Sequence, residues 1–284
     1  MATTFDRTTL DTGTLDIRPM TPAIGAEILG IDLGSMDIGD RIPQIRAALL
    51  KHGVIFFRDQ DLTTAQHIAF ARHFGKLEIH PATPKDQPDP EVLRIEHGPK
   101  SRGQENAWHS DVTWRDEPSL GSILLAREVP DCGGDTLFAD MTAAYEALSK
   151  AMKEMLAPLH AVHDFAQTAA TQFAKPVVIE EDLKGDNRAV HPVVRTHGDT
   201  GRKSLYVNPG MTTGLDNFDD EESAVLLGFL FDHATQPEFT FRHHYRQGDV
   251  VMWDNRSLMH YAINDYGDQP RYMERTTSIG EKPA

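Results

Sequence analysis

Beyond Gly75 the chain breaks into short runs rich in β-branched and aromatic residues: SILLAREV, DTLFAD, HPVVRTH, KSLYVN, FTFRHHY, DVVMWDN and YMERTTSI, separated by glycine, proline and aspartate. Such residues suit a pleated, half-buried surface, and the separators supply turn conformations. Many short strands can bury their apolar faces only by stacking or closing sheets, which predicts a β-sandwich or jelly roll. Helical spacing over Met141 to Leu159 and over Asp219 to His233 interrupts the strands. Helices therefore pack outside the sheets, and the class is α+β.

The N-terminal part reads differently. The residues up to Met20 form a loose arm, and IGAEILGIDL, Ile24 to Leu33, alternates near period two with glycines at its breaks, as a strand pair does. From Asp40 to His52 the apolar spacing is helical and stops at Gly53; VIFFR, Val54 to Arg58, is then a buried strand. Thr63 and Thr64 can cap a second helix that ends at Gly75. Residues 166–187 have weak periodicity and clustered charge, so they read as a lid over a site or a mobile loop. Nothing resembles a linker, and residues 1–284 are expected to form a single domain.

Composition removes several functions. The formal charge of −15, from 43 acidic against 28 basic residues, repels nucleic acid and anionic membrane surfaces. The only cysteine, Cys132, sits in a DCGGD turn, which excludes an intrachain disulfide and cysteine-cluster metal sites. The first residues lack a basic start and an apolar core of signal-peptide length, and the longest apolar run, Ala224 to Phe231, is too short to span a bilayer. A soluble cytoplasmic protein with no nucleic-acid or membrane partner is the expectation.

Among 14 histidines, two stand in a His-x-Asp pattern. On a strand, positions i and i+2 share a face, so His109 and Asp111 in WHSDVTW can converge on one ion. Two histidines and a carboxylate on one face are the donor set of non-haem iron sites. His197 and Asp199 match the same pattern but lie in THGDTGRK, which is hairpin-turn chemistry. Alone, the pattern is as consistent with polar punctuation of a strand as with a metal. A third ligand has to come from β context, where His191, His243, His244 and His260 are available. Downstream, Arg271 and Arg275 lie four apart on an extended run, share one face, and can clamp carboxylate or sulfonate. Surface ion pairing is the bland alternative.

The segments WHSDVTW, GGDTLFAD, HPVVRTH and WDNRSLMHYAINDYGDQPRYMERTT, with HGVIFFRDQ, FGKLEIHP and IGAEILGIDL, resemble in order those of the taurine dioxygenase/TfdA family of iron(II)- and 2-oxoglutarate-dependent oxygenases. The resemblance covers nearly the whole chain. It implies a double-stranded β-helix (jelly roll) core with flanking helices, with Fe(II) as metal and 2-oxoglutarate and O2 as cosubstrates. His109, Asp111 and His260 match the metal ligands, and Thr136 and Arg271 match the residues that hold the distal carboxylate of 2-oxoglutarate. Arg275 and His80 match contacts to the substrate anion, with Asn106 and Val112 flanking the same pocket. Because the chain is acidic, Arg271, Arg275 and His80 have to reverse its field locally.

Taurine dioxygenase itself carries a tyrosine and an asparagine, both holding the substrate amine, where this chain has Thr83 and Glu105. The pattern is closer to alkylsulfatase members. The expected substrate is therefore an anionic alkyl sulfate or sulfonate, hydroxylated next to the heteroatom to give an aldehyde or ketone, sulfate or sulfite, succinate and CO2. Phenoxyalkanoate and taurine dioxygenases are the neighbouring alternatives; a structural-metal jelly roll and a zinc hydrolase are more distant ones. A homodimer or homotetramer is the expected assembly.

Overall fold

The computed structural model describes residues 15–80, 83–84, 86–99, 106–165 and 187–284. In chain order these form β1 (Asp16–Pro19), β2 (Ala26–Leu29), α1 (Ile42–His52), β3 (Val54–Phe57), α2 (Thr64–Arg72), β4 (Leu93–His97), β5 (Ser119–Glu128) and β6 (Thr136–Asp140). Then follow α3 (Met141–Ala147), α4 (Lys150–Leu156), β7 (His160–Asp164), β8 (Arg188–Pro192), β9 (Val194–Thr196), β10 (Lys203–Leu205), β11 (Thr212–Leu215) and α5 (Asp220–Ala234). The chain closes with β12 (Thr240–His243), β13 (Val250–Asp254), β14 (Leu258–Ala262) and β15 (Arg271–Ile279).

Seven strands make the larger sheet in the order β1, β2, β3, β13, β5, β15, β4, and β12, β6 and β14 make a smaller one. Strand alternation explains how they stack. Along β3, Ile55 and Phe57 pack outward with α1 and α2, whereas Val54 and Phe56 point into a core shared with Phe138 and Phe241 of the smaller sheet. Along β13 the same division puts Val250 and Met252 outside and Val251 and Trp253 inside. Behind the smaller sheet, Ala139 and Met259 pack with residues of α3, α4 and α5. Strands covered on both faces read as unbroken apolar runs, as VIFF and VVMW do. The result is a double-stranded β-helix sandwiched between helices.

Most expected elements appear, with instructive differences. Thr63 accepts from Gln66 N and completes a capping box, and Gly53 ends α1 at φ 72°. The expected strand pair within Ile24 to Leu33 is instead the single strand β2, whose antiparallel partner β1 lies in the segment read as an arm. The helix expected from Met141 to Leu159 is two helices, because Leu148 turns extended and Ser149 caps α4 by accepting from Met152 N. The proposed lid at 166–187 falls, but for Asn187, outside the described residues. Among the described residues no helix is long and apolar enough to cross a membrane.

Candidate active site

His109 and His260 face each other across an isolated antiparallel bridge: each backbone N–H donates to the other's carbonyl oxygen, at 2.9 and 2.7 Å. Directly opposed residues project side chains to the same face, and the two imidazole centroids lie 4.2 Å apart. Nδ1–H of His109 donates to the Ala107 carbonyl oxygen at 2.8 Å, which leaves its Nε2 lone pair free to coordinate. His260 packs against the Trp253 ring at 4.9 Å.

Asp111 reaches the same face by a route other than the strand spacing predicts. Only residue 109 of WHSDVTW pairs in a bridge; residues 111–115 form a turn, closed by a hydrogen bond from Arg115 N to the Val112 carbonyl oxygen at 3.0 Å. Within it Val112 has φ 51°, a left-handed conformation that costs a β-branched residue about 1–3 kcal/mol. The turn brings Asp111 Oδ1 to 3.9 Å from Nε2 of both histidines, and the three ligand atoms lie within 4.8 Å of one another. Oδ2 is held aside, accepting from Ser122 Oγ at 2.7 Å and Asn255 Nδ2 at 3.2 Å.

Protonation states suit a metal. Burial, then the neighbouring His109, pushes the His260 imidazole down to about 3, so it is neutral at physiological pH. Burial alone would raise the Asp111 carboxyl, but Arg275, the two imidazoles and the Ser122 hydroxyl together outweigh burial and hold it below the usual carboxylate range. Neutral imidazoles and an ionised carboxylate are the donor states a divalent transition metal requires. Three donors on one face leave the opposite face of an octahedral ion open for other ligands.

The cosubstrate and substrate candidates line the inward face of β15. Register with β4 is regular from Arg271 to Arg275, so Arg271, Met273 and Arg275 alternate inward while Glu274 turns outward to Arg127 and α2. Arg271 is buried, its Nε donates to the Gly134 carbonyl oxygen at 3.3 Å, and its guanidinium stands 5.5 Å from the Tyr245 ring. Thr136 Oγ1 lies 3.1 Å from Tyr245 Oη, which places Thr136 and Arg271 about one tyrosine. Arg275 Nη1 donates to Asp111 Oδ1 at 2.8 Å.

The segment carrying His80 is tied to the end of β15 by a bridge between Leu77 and Ser278 and by Glu78 N donating to the Thr277 carbonyl oxygen at 2.8 Å. His80 thereby comes within electrostatic reach of Arg275, Asp111 and Arg115. Burial, then Arg275, pushes its imidazole down to about 3, so it offers a hydrogen bond but no charge. This corrects the expectation that His80 helps reverse the field. The second cation there is Arg115, which the sequence reading missed; it pairs with the buried Glu78 at 2.5 Å. Val112 is buried, Asn106 is exposed, Thr83 is buried with its hydroxyl unpaired among the described residues, and Glu105 lies outside them.

The other third-ligand candidates have different partners. His243 Nε2 lies 3.2 Å from Asp249 Oδ2, His244 Nδ1 lies 2.8 Å from Asp135 Oδ1, and His191 donates to backbone carbonyls. Ser122 and Asn255 also escaped the sequence reading. Asn255 stands in the WDN run, but its pairing with a residue 144 positions away has no local signal.

Two histidines and a carboxylate converging on one point of a jelly roll, with Arg275 beside them, are the donor set of a mononuclear non-haem metal protein. The profile described as "Taurine catabolism dioxygenase TauD, TfdA family" matches residues 16–277, and the chain belongs to that family. It is 38% identical to an alkylsulfatase of Acinetobacter baylyi, over 94% of this chain and 86% of that protein. It is 34% identical to an alpha-ketoglutarate-dependent sulfate ester dioxygenase of Pseudomonas putida, over 95% and 91%. A crystal structure of a taurine dioxygenase from Burkholderia xenovorans superposes with a TM-score of 0.82 at 36% identity, covering 96% of this chain and 91% of that one.

Proposed function

We propose that the chain oxidises an anionic alkyl compound, a sulfate ester ahead of a sulfonate, at the carbon next to the heteroatom. It is an iron(II)- and 2-oxoglutarate-dependent dioxygenase, and His109, Asp111 and His260 hold the metal. The observation that carries the reading is the single inward face on which Arg275 meets Asp111 Oδ1 at 2.8 Å, so an anion drawn to that guanidinium lies beside the metal. The names of the alkylsulfatase and sulfate ester relatives support the substrate class.

Iron(II) supplies the oxygen chemistry that decarboxylates 2-oxoglutarate to succinate and CO2 and hydroxylates the substrate carbon. The protein's own part is orientation. Arg271 and Thr136 hold the distal carboxylate of 2-oxoglutarate, since a buried guanidinium is a planar partner for it. Arg275 supplies the charge that draws the substrate anion, and the neutral His80 donates an N–H to it. Val112 and Asn106 border the alkyl part. Ser122 and Asn255 keep Asp111 Oδ2 occupied, so Oδ1, oriented by Arg275, is the oxygen that would hold the metal. A hydroxylated carbon that bears sulfate then releases it and becomes the aldehyde or ketone carbonyl.

Residues 1–284 act as one domain in this reading. A homodimer or homotetramer is proposed with it, supported by the exposed Val225 and Phe229 one turn apart on α5. A cytoplasmic setting is proposed on the single cysteine, Cys132, which stands free and exposed.

The test is succinate release from hexyl sulfate, pentanesulfonate, 2-phenoxypropionate and taurine under identical Fe(II) and 2-oxoglutarate. The expected order of kcat/KM puts hexyl sulfate first and taurine last, because Thr83 replaces an amine contact. A lead by taurine or by the phenoxy acid would contradict the substrate assignment while leaving the metal ligands untouched.

A further inference from the structure

We infer that His191 is a positioning residue for the metal centre: from β8 it clamps the turn after Asp111 and keeps that carboxylate aimed at the two imidazoles. The role rests on the metal reading above. His191 is fully buried, and its Nε2–H is shared between the carbonyl oxygens of Thr113 and Arg115, at 2.9 and 3.0 Å. Both partners only accept, so the ring must carry a proton on Nε2. Burial lowers the affinity of this imidazole for a second proton.

A second histidine grips the same turn. His163 of β7 sets Nδ1 2.9 Å from Thr113 Oγ1, and its ring meets that of His191 edge to face with centroids 5.2 Å apart. Asn208 Nδ2 donates to the same hydroxyl at 3.3 Å. Thus the side chain and carbonyl of Thr113 and the carbonyl of Arg115 are all engaged from elements distant in sequence.

The turn needs such a clamp. Val112 stands at φ 51°, where a β-branched residue persists only if its surroundings over-determine it. Val112 is the residue immediately after the ligand. If it relaxes to negative φ, the peptide joining it to Asp111 rotates and Oδ1 leaves its position 3.9 Å from each imidazole nitrogen. His191 opposes the relaxation, because relaxing would leave two buried carbonyls without their donor.

Co(II) is the probe, with uptake followed by visible absorption and folding followed separately by urea denaturation. His191→Leu should weaken Co(II) binding by on the order of 10-fold or more, the usual scale for residues that orient a ligand. His191→Gln, whose amide can still donate, should lose less. The decisive variant adds Val112→Gly: glycine adopts positive φ unaided, so Co(II) affinity should return to within about 3-fold of wild type. A general packing defect would not be repaired this way, since glycine adds chain entropy to the unfolded state. If His191→Leu does not fold, His191→Gln with and without Val112→Gly gives the same comparison.

Wild-type affinity in the foldable His191 variants, or a loss that Val112→Gly leaves unrepaired, would overturn the proposal alone. Wild-type protein that takes up no Co(II) would overturn the metal reading and the proposal together.

Discussion

His109–Ser110–Asp111 and His197–Gly198–Asp199 carry the same pattern, and both touch the segment Asp254–Asn255–Arg256, yet their atoms are committed differently. In the second, Nδ1 of His197 accepts from Asp199 N and Thr200 N at 3.2 and 3.3 Å, and Nε2–H donates to Asp254 Oδ2 at 3.0 Å. Asp199 accepts from Arg256 Nη1 at 2.8 Å. Both ring nitrogens of His197 are committed to the turn and to Asp254, so no imidazole nitrogen remains for an ion. In the first, His109 uses only Nδ1 locally, and Asp111 turns Oδ2 to Ser122 and Asn255 and Oδ1 toward the two imidazoles, where Arg275 takes one of its lone pairs at 2.8 Å. What makes a ligand is the lone pair left over after the fold has taken its share.

Asp254→Ala should give the largest separation of the two regions. Asp254 is ionised and holds the buried Arg256 through Nε and Nη2 at 2.9 and 2.8 Å, so its loss leaves that charge only the exposed carboxylates of Asp199 and Glu281. Removing one partner of a buried pair costs about 3–5 kcal/mol. Urea denaturation should register that loss, while Co(II) affinity of the folded fraction stays at the wild-type value. A parallel collapse of metal affinity would make the hairpin part of the site.

Two glycines sharpen the contrast further. A Cβ on Gly210 would stand 2.8 Å from His109 Cβ and 3.0 Å from the Trp108 carbonyl oxygen, so Gly210→Ala must push the ligand strand. Such overpacking costs about 1–3 kcal/mol, and Co(II) affinity should fall by roughly 10-fold as the ligand is displaced. Gly201, in the other turn, has open space around it but φ 67°. Gly201→Ala should cost about 1 kcal/mol of backbone strain and leave Co(II) binding alone. Equal metal loss in both variants would contradict the distinction.

Acid should have the smallest effect of the three. Burial pushes His163, behind the metal-side turn, to about 3 and His67, beneath β5, to about 4. Both pKa values are depressed, so the unfolded chain takes up protons near pH 6.5 that the folded protein refuses. Their stabilisation is complete above about pH 6.5 and is lost as pH falls toward 4 and 3. By pH 5.5 the loss should be about 1 kcal/mol per histidine. His163→Phe should flatten the fall measured by urea midpoints from pH 7.5 to 5.5; an unchanged slope would show that His163 does not contribute.

Local signals were readable where local chemistry decides. The capping box at Thr63, the stop at Gly53 and the alternation in VIFF and VVMWD each mark their elements within a few residues. The break at Ser149 was also available, since serine before KAMKEML is a cap signal that the longer helical pattern concealed. The turn at 111–115 was not readable. Val112 favours strands, and its left-handed backbone is imposed by histidines from β7 and β8. Nor did Ser122 or Arg115 announce themselves, because their partners Asp111 and Glu78 meet them only through tertiary contacts. Arg271 and Arg275 were legible as a same-face pair, since period two places them so.

The central claim is that leftover lone pairs on converging side chains, and not the His-x-Asp pattern, make the metal centre. Fe(II) uptake under anaerobic conditions by Asp111→Ala and Asp199→Ala, each compared with wild type and each checked for folding, tests it most directly. The account predicts that Asp111→Ala loses tight binding while Asp199→Ala binds Fe(II) as wild type does. Retention of tight binding by Asp111→Ala, or equal loss in both, would contradict it.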